Sequence, residues 1–363
     1  MSRILILANF DVGLYKFRKE LIQELLNQGN EVYLSLPEGE FVENLKKIGC
    51  KFINTSIDRR GINPRTDAKL ILSYRKMIKK LHPDMVITYT IKPNIYGGMI
   101  CRIFHVPYAV NITGLGTAFQ SESMIKRLVT FLYKIALKKA KVVFFENIGN
   151  KQTFLDLNIL KENQTCVLNG AGVNLAEYPL CEYPSDDEIR FLFIGRVMKE
   201  KGIDELFEAA EKIKKEYSDV FFDIVGPMEE DYKEKIEELV QKDIIKYYGY
   251  QKDVKPFIGK CHCFVLPSYH EGMANTLLEA GAMGRPLITS NIHGCLEAVE
   301  RGKNGYLAEA KDAVSLLEQL EKFIALSYEE KEKMGQKSRR VMEETFDKKK
   351  VVKKTVSKVE NVV

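Results

Sequence analysis

The sequence lacks several features that would place it in a specialised class of protein. No run of about 18 apolar residues occurs, so no segment is predicted to span a membrane. No Cys-x-x-Cys pair occurs either, and the seven cysteines are scattered and odd in number, which is typical of thiols in a reducing compartment. Short-period repeats and low-complexity linkers are also missing.

A strong excess of one charge is missing as well. The 363 residues include 55 Lys and Arg against 50 Asp and Glu, which gives a formal net charge of +5. This excess is too small by itself to predict nucleic-acid binding, and we expect no nucleic-acid partner. Length alone favours two domains of roughly 150 to 200 residues, each with its own core.

Two short segments could be mistaken for a signal peptide and for a zinc site, but their residues do not support either interpretation. The apolar run in MSRILILANF is too short for a signal peptide, and we interpret it as the first strand of a cytoplasmic protein. Cys261-His262-Cys263 opens a predicted strand, in which alternation places both thiols on one face and His262 on the other. We therefore favour core-facing thiols over a zinc site.

Short apolar segments alternate with amphipathic segments along the whole chain. Strands are predicted at 3–8, 31–36, 51–55, 85–89, 108–112, 142–145 and 165–168, and again at 189–195, 220–225, 244–248, 263–266, 286–289 and 306–308. Amphipathic segments between them predict helices. The intervening segment from Asn169 to Ser185 is rich in Gly and Pro, so we place a domain boundary there.

This alternation predicts an α/β protein of two doubly wound, Rossmann-like domains. The predicted domains are residues 1–170 and 171–346, followed by a helix at 347–363 that packs back on the N-terminal domain. Ligands of doubly wound sheets bind at the carboxyl ends of the strands. We therefore expect the two domains to face each other across a ligand-binding cleft.

The stretch VLPSYHEGMANTLLEAGAMGRP, residues 265–286, combines a strand, a polar turn and a helix predicted from Ala274 to Met283. The first N–H groups of a helix have no intrahelical partner, and the helix dipole favours anions there. Glu271 in the turn and Glu279 in the helix place two carboxylates beside this anion site. Because carboxylates accept hydrogen bonds from hydroxyls, the combination indicates a nucleotide sugar.

A second polar turn, GRVMKEKG at residues 195–202, follows the first strand of the C-terminal domain. It places Arg196 and Lys201 at the carboxyl end of that strand, where two fixed cations suit a diphosphate. Each turn taken alone is also compatible with an exposed polar loop. The combination of two cations with two carboxylates favours the nucleotide-sugar site.

These motifs resemble those of the retaining GT-B glycosyltransferases of family 4, over nearly the whole chain. The resemblance rests on GRVMKEKG, on the Glu-x7-Glu pair of Glu271 and Glu279, on GVN at residues 172–174 and on a glycine turn at Gly13. It implies sugar transfer from a nucleotide donor with retention of the anomeric configuration. It implies no cofactor and no obligatory metal, because the nucleotide sugar is itself the donor substrate.

The resemblance also implies roles for individual residues. Arg196 and Lys201 would neutralise the leaving diphosphate, while Glu271 would contact the donor sugar. The implied catalytic residues are Arg196, Lys201 and Glu271, and the implied donor-binding residues are Gly13, Gly195, Pro227, Gln251, Gly272, Met273, Ala274, Asn275, Thr276 and Glu279.

Within that donor set, most contacts are expected from the backbone. Gly13 would let the loop after the first strand approach the diphosphate closely. The N–H groups of residues 274–277 would cap the phosphates. The base would lie near Pro227 and Gln251, and Glu279 would hold the ribose hydroxyls.

One position departs from the family pattern. Many relatives carry a histidine after the strand at 108–112, whereas this chain has Thr113, which cannot act as a base as histidine could. His270, beside Glu271, is a further candidate, and the other four histidines are expected to be structural.

The segment GLGTAF at 114–119 resembles a subgroup that acts on polyprenyl-diphosphate-linked sugars in capsule, O-antigen or protein-glycan assembly. That resemblance implies a lipid-linked saccharide acceptor. It also implies a peripheral position on the cytoplasmic face of the cell membrane.

The segment MIKRLVTFLYKIALKKAKV, residues 124–142, mixes apolar and basic residues at helical spacing. A basic amphipathic helix suits an anionic membrane surface, so we place the acceptor or membrane side at Thr113, Lys134, Lys138 and Lys139. A core-packed helix with a solvated basic face is the alternative.

We therefore expect a glycosyltransferase that moves a hexose or N-acetylhexosamine to a lipid-linked saccharide in surface polysaccharide or glycan assembly, with UDP as the expected donor nucleotide. One alternative is a UDP-sugar 2-epimerase of the same architecture, which would need acid and base residues in the first domain. The acidic positions there form no obvious cluster in the sequence. The other is an inactive nucleotide-sugar-binding subunit, which the intact Arg196, Lys201 and glutamate pair disfavour.

Overall fold

The computed structural model describes residues 1–58, 63–116, 119 and 124–360. The chain divides into two units, one formed by Met1–Ala171 together with Lys348–Val363 and the other by Gly172–Asp347. It passes between the units after Ala171 and again after Asp347, where the sequence predicted passages after residues 170 and 346.

The first unit contains a parallel sheet whose described strands lie in the order β3-β2-β1-β4-β5-β6-β7. The strands are β1 (Arg3–Leu7), β2 (Glu31–Leu36), β3 (Lys51–Asn54), β4 (Met85–Tyr89), β5 (Tyr108–Ile112), β6 (Val142–Phe145) and β7 (Thr165–Val167). The helices between them are α1 (Asp11–Asn27), α2 (Val42–Ile48), α3 (Pro64–Leu81), α4 (Gly98–Phe104), α5 (Met124–Leu137) and α6 (Ile148–Asp156). The central strands β4 and β5 are buried at every residue because helices cover both faces of the sheet.

The second unit repeats this design with strands in the order β10-β9-β8-β11-β12-β13, all parallel. The strands are β8 (Ile189–Ile194), β9 (Val220–Val225), β10 (Ile245–Tyr247), β11 (Cys263–Leu266), β12 (Leu287–Ser290) and β13 (Gly305–Ala308). The helices are α7 (Ile203–Glu216), α8 (Lys233–Gln241), α9 (Lys255–Lys260), α10 (Asn275–Ala282), α11 (Ala313–Ile324) and α12 (Tyr328–Val341). The strand order reverses between β8 and β11, which is where ligands of such sheets bind.

The last helix, α13 (Lys348–Glu360), packs against α1 in the first unit. Val351, Val356 and Val359 enter the same core as Ile22 of α1. Short 3₁₀ turns lie at Glu162–Gln164, Lys199–Lys201 and Leu296–Ala298, and π-helical turns lie at Pro93–Gly97 and Met342–Phe346. No helix within the described residues is both long and apolar enough to cross a membrane.

The structure corrects the predicted position of Gly13. The sequence placed Gly13 in a turn before the first helix, but α1 begins at Asp11, so Gly13 lies in the first helical turn. The Asp11 carboxylate accepts a hydrogen bond from the backbone N–H of Phe41 at 2.5 Å. Its negative charge in the first turn also interacts favourably with the helix dipole, which stabilises the helix. This contact is remote in sequence, so local periodicity did not reveal it.

The structure also shortens the predicted basic helix. α5 ends at Leu137, so Lys138 and Lys139 lie in the turn that follows it. The N–H of Lys141 bonds the Tyr108 carbonyl at 3.0 Å, which begins the pairing of β6 with β5. Strand pairing therefore ends the helix. Of the segment GLGTAF, Thr117 and Ala118 lie outside the described residues.

The cysteines of the Cys-His-Cys segment face the core, as predicted. Cys261 and Cys263 are buried in the core of the second unit, and burial raises the pKa of the Cys261 thiol to about 12. His262 is also buried. Its Nδ1 accepts a hydrogen bond from the Arg190 N–H at 3.0 Å, and its Nε2 lies 2.8 Å from the Ser185 carbonyl oxygen, to which it donates. Within the described ranges no group of three or more His, Cys, Asp and Glu is arranged to hold a metal.

His262 predicts a loss of stability in acid. Burial lowers its pKa in the folded protein, so the unfolded chain binds the proton more readily. The free energy of unfolding should therefore fall as the pH drops below the ordinary histidine value of about 6.5. We expect His262→Asn to reduce this fall, measured by urea denaturation at a series of pH values. His270→Asn, at an exposed position, is the control. The interpretation is wrong if His262→Asn and wild type lose stability equally.

Candidate functional site

The two polar turns of the second unit meet at the point where its strand order reverses. One turn follows β8 and the other follows β11, and these strands are neighbours. The 3₁₀ turn Lys199–Lys201 brings the Lys201 ammonium into an ion pair with the Glu271 carboxylate. Their side chains are only 17% and 13% exposed. The structure therefore brings together a predicted cation and a predicted carboxylate that are 70 residues apart in sequence.

Two glycines allow the turn after β8 to approach the turns after both of its neighbours, β11 and β9. Gly202 has a φ of 69°, and a Cβ there would lie 2.0 Å from the Pro267 carbonyl oxygen. Gly226 has a φ of 146°, and a Cβ there would lie 1.7 Å from the Gly195 carbonyl oxygen. Neither position accepts a side chain. The site is thus built from backbone segments in direct contact.

Arg196 is the more exposed of the two predicted cations. Its guanidinium lies 3.3 Å from the Glu229 carboxylate, and its side chain is 43% exposed. Exposed ion pairs of this kind contribute at most about 1 kcal/mol. Arg196 is therefore able to exchange Glu229 for an anionic ligand at small cost.

Gly195 and Pro227 lie side by side next to Arg196. The Gly195 N–H bonds the Val225 carbonyl at 3.0 Å, and the Val197 N–H bonds the Pro227 carbonyl at 2.8 Å. These bonds join the turn after β8 to the turn after β9. Two predicted donor-binding positions thus belong to one backbone surface.

The start of α10 offers fewer free donors than the sequence predicted. The Ala274 N–H bonds the Gly294 carbonyl at 2.9 Å, and the Leu277 N–H bonds the Ala274 carbonyl at 3.0 Å. Asn275 and Thr276 supply the remaining donors of the first turn. The Asn275 Oδ1 is buried and has no hydrogen-bond partner among the described residues.

Gly272 and Met273 complete the turn between Glu271 and α10. The backbone passes directly over Gly294, where a Cβ would lie 2.8 Å from the Gly272 carbonyl oxygen. The Met273 side chain is buried in the core of the second unit. Met273 therefore anchors the turn, and only its backbone is placed to contact a ligand.

Glu279 lies on α10, one helical turn beyond Asn275, and is half-buried. Nη1 of Arg339, a residue of α12 that the sequence analysis did not select, donates to the Ala282 carbonyl at the end of this helix at 2.8 Å and to the Tyr178 carbonyl at 3.0 Å. Gln251 lies beyond β10, where its Nε2 donates to the Tyr248 carbonyl at 2.7 Å. The Gln251 side chain is thus held by a hydrogen bond, and the helix that carries Glu279 is held by Arg339.

The predicted acceptor-side residue Thr113 directly follows β5 in the first unit and is half-buried. At the same edge of that sheet, Thr90 follows β4 with a φ of 73°, a strained value for a β-branched residue. The Thr90 hydroxyl is buried and has no partner in the part of the chain that the structure describes. Strain of this kind is frequent at functional sites.

A buried ion pair beside this edge was missed by the sequence analysis. Arg18 of α1 pairs with Glu146, which follows β6, and their side chains are 9% and 10% exposed. The Arg18 guanidinium lies 5.3 Å from the centre of the Tyr89 ring. Because Arg18 and Glu146 are 128 residues apart, only the fold reveals that they meet.

One side of α5 packs on the core, and the other side exposes both basic and apolar residues. Tyr133, Ala136 and Leu137 are buried, whereas Lys134 is exposed, as are Lys138 and Lys139 in the turn beyond the helix. The exposed side also carries the apolar residues Met124, Ile125, Leu128 and Phe131. An amphipathic helix that only covers a core would have a polar outer side.

Comparison with known proteins identifies the family. Residues 3–147 match the family described as "Glycosyl transferase 4-like", and residues 182–341 match "Glycosyl transferases group 1". The two matches fall one in each unit. The chain belongs to the family 4-like glycosyltransferases of the GT-B type. The fold class and the family resemblance predicted from the sequence are thereby confirmed.

Two relatives show which proteins this glycosyltransferase is similar to in sequence. It is 29% identical over 335 residues to the N,N'-diacetylbacillosaminyl-diphospho-undecaprenol alpha-1,3-N-acetylgalactosaminyltransferase of Campylobacter jejuni, covering 88% of each chain. It is 28% identical over 279 residues to the UDP-Gal:alpha-D-GlcNAc-diphosphoundecaprenol alpha-1,3-galactosyltransferase of Escherichia coli, covering 72% of this chain and 71% of that protein.

Solved structures share the fold at lower identity. A glycosyltransferase from Rickettsia africae aligns with a TM-score of 0.84 at 20% identity, covering 99% of this chain and 98% of that one. Anabaena HepE in complex with UDP and glucose aligns with a TM-score of 0.80 at 16% identity, covering 99% of this chain and 100% of that one. The roles of individual residues stay predictions.

The first of these predictions concerns the two cations. Lys201→Ala and Arg196→Ala should each lower the rate of sugar transfer about 10²-fold or more, by analogy with the loss of one oxyanion-stabilising donor. Lys199→Ala is a matched control, because Lys199 is an exposed lysine in the same turn. Turnover is measured with a UDP-sugar panel, and the unfolding midpoint verifies folding. Unchanged turnover in Lys201→Ala would show that this residue does not stabilise the leaving group.

Proposed function

We propose that the protein is a retaining glycosyltransferase that moves a hexose or N-acetylhexosamine from a UDP-sugar to a lipid-linked saccharide. The observation that carries this proposal is the Lys201–Glu271 pair at the reversal point between β8 and β11. A cation beside a carboxylate suits a donor that has both a diphosphate and sugar hydroxyls. The printed names of two relatives add support, since both name undecaprenol diphosphate carriers and one names UDP-Gal.

The proposed mechanism depends on stabilising the leaving group. The bond between C1 of the sugar and the diphosphate oxygen breaks, and the diphosphate leaves with both electrons. Lys201 and Arg196 stabilise the negative charge that develops on it, while the acceptor oxygen bonds C1 and releases its proton to the departing diphosphate oxygen. Because Glu271 holds the Lys201 side chain in place, this cation needs little reorganisation during the reaction.

The other donor contacts follow from the same arrangement. The N–H groups of Asn275 and Thr276 bind phosphate oxygens at the start of α10. Glu279 accepts hydrogen bonds from the ribose, and the backbone near Pro227 and Gln251 contacts the base. We propose no cofactor, because the nucleotide sugar supplies both the transferred group and the leaving group.

We further propose that the first unit docks on the anionic cytoplasmic face of the cell membrane, as part of binding a lipid-linked acceptor. Support comes from the exposed apolar residues Leu128 and Phe131 of α5 and from the nearby exposed Lys134. α3 adds the exposed Lys76, Lys79 and Lys80. Such a mixture of basic and apolar residues suits the boundary between lipid headgroups and acyl chains.

Nucleotide binding tests the donor class. The unfolding midpoint is measured with saturating UDP, GDP, ADP or NAD, because a ligand that binds only the native state must raise it. We expect a rise with UDP alone. A rise with GDP or ADP would replace the donor, and no rise with any nucleotide would contradict the donor site. Conversion of a UDP-sugar without any acceptor would instead favour the 2-epimerase.

Membrane docking has a separate test. Replacing Lys134, Lys138 and Lys139 with Gln should weaken binding to phosphatidylserine vesicles roughly 100-fold at low salt, since each surface cation contributes about 1 kcal/mol. The effect should diminish as salt rises. A control variant replaces Lys212, Lys233 and Lys242 of the second unit, which are also largely exposed. If both variants bind as wild type does, α5 is not the docking surface.

A further inference from the structure

We propose that Glu297 is a positioning residue that holds the donor turn, residues 271–275, in the geometry that binds the diphosphate and the sugar. This role rests on the proposed donor site and belongs to a residue that the sequence analysis did not select. Glu297 lies in the 3₁₀ turn Leu296–Ala298, after β12, the strand that pairs with β11. The loops that follow these two parallel strands therefore lie side by side at one edge of the sheet.

The Glu297 carboxylate bonds two adjacent residues of the loop between β12 and the 3₁₀ turn. One oxygen accepts the Gly294 N–H at 2.7 Å, and the other lies 2.9 Å from the His293 Nδ1, which donates to it. The Glu297 side chain is only 23% exposed, so water competes weakly for these bonds. A hydrogen bond to an ionised carboxylate is also stronger than one between neutral groups. Glu297 therefore fixes the direction of the peptide between His293 and Gly294.

The core holds the loop on either side of Gly294 but does not orient Gly294 itself. Ile292 packs on the core of the second unit, and Cys295 is buried within that core. Gly294 has a φ of 93°, and a glycine passes readily between backbone conformations. The conformation of Gly294 therefore depends on the hydrogen bonds of the peptides on its two sides.

The peptide after Gly294 holds the donor turn. The Gly294 carbonyl accepts the Ala274 N–H at 2.9 Å. Ala274 is the N-cap residue of α10, and its side chain makes no capping hydrogen bond. The approach is close, since a Cβ on Gly294 would lie 2.7 Å from the Glu271 carbonyl oxygen and 2.8 Å from that of Gly272. A change in the conformation of Gly294 would therefore move the donor turn.

The consequence for donor binding is preorganisation. In the proposed site, the donor turn supplies the Glu271 carboxylate for the sugar and leads into the first N–H groups of α10 for the diphosphate. A turn that is already fixed loses little further conformational entropy when the donor binds. Without Glu297, Gly294 would sample other conformations, and the donor itself would have to order the turn. The uridine part of the donor is contacted elsewhere in the proposed site, by Glu279 and by the backbone near Pro227.

A comparison of UDP with uridine tests this role. Dissociation constants for both are measured with wild type, Glu297→Ala, Glu297→Asp and Glu297→Gln, and the unfolding midpoint verifies folding. We expect Glu297→Ala to weaken UDP binding about threefold to tenfold and to leave uridine binding unchanged. Glu297→Asp keeps the charge but withdraws the carboxylate by one CH₂ group, so it should show the same preference. Glu297→Gln keeps an acceptor oxygen within reach of the Gly294 N–H, so it should restore part of the UDP binding.

Glu300→Ala is the matched control, because Glu300 is a nearby glutamate whose carboxylate pairs with Lys337 at 3.0 Å and Lys303 at 3.5 Å. Partly exposed ion pairs of this kind contribute little, so this variant should bind both ligands as wild type does. If Glu297→Ala does not fold, Glu297→Asp and Glu297→Gln still decide, since Glu297→Asp must then bind UDP more weakly than Glu297→Gln.

The outcomes distinguish the positioning role from the donor site itself. Wild type that binds no UDP would contradict the donor site, and the role of Glu297 with it. UDP binding that Glu297→Ala leaves unchanged would contradict only the positioning role, as would equal weakening of UDP and uridine.

Discussion

The second unit depends on the parallel order of its strands, which places every βα turn at one edge of the sheet. Where the order reverses, neighbouring helices diverge and two turns are left side by side. The chain uses this position to pair Lys201 with Glu271. Opposite charges attract each other more strongly where they are largely withdrawn from water than on an open surface. In the proposed donor site, this pairing puts a cation for the diphosphate beside an acceptor for the sugar hydroxyls.

The backbone supplies the precision of this arrangement. Gly202 and Gly226 bring the main chain of one turn against the main chain of the next. These backbone contacts fix the positions from which the Lys201 and Arg196 side chains extend. The two cations differ in their surroundings. Lys201 is held within the protein, whereas Arg196 is exposed beside Glu229. In the proposed donor site, Lys201 is therefore fixed in advance, whereas Arg196 exchanges Glu229 for the ligand.

Local sequence patterns predicted the strands and the polar turns because both depend on a few adjacent residues. β4, β5, β6 and β11 have the predicted limits since they are short, mainly apolar segments between polar turns. The errors occurred where a distant residue decides the local structure. Phe41 lies 30 residues from Asp11, and β5 determines where α5 ends. Tyr178 and Arg339 were missed for the same reason, since their contact spans 161 residues.

The Arg339 bridge also bears on how donor preference can be transplanted between relatives. The turn at Tyr178 and the helix with Glu279 look like two compact segments that are easily exchanged. Their relative position is nevertheless set by a side chain of α12, which contacts both and belongs to neither. A chimera that receives only the two segments would keep the residues and lose their alignment. The smallest exchangeable piece is therefore the second unit as a whole, from Gly172 to Asp347.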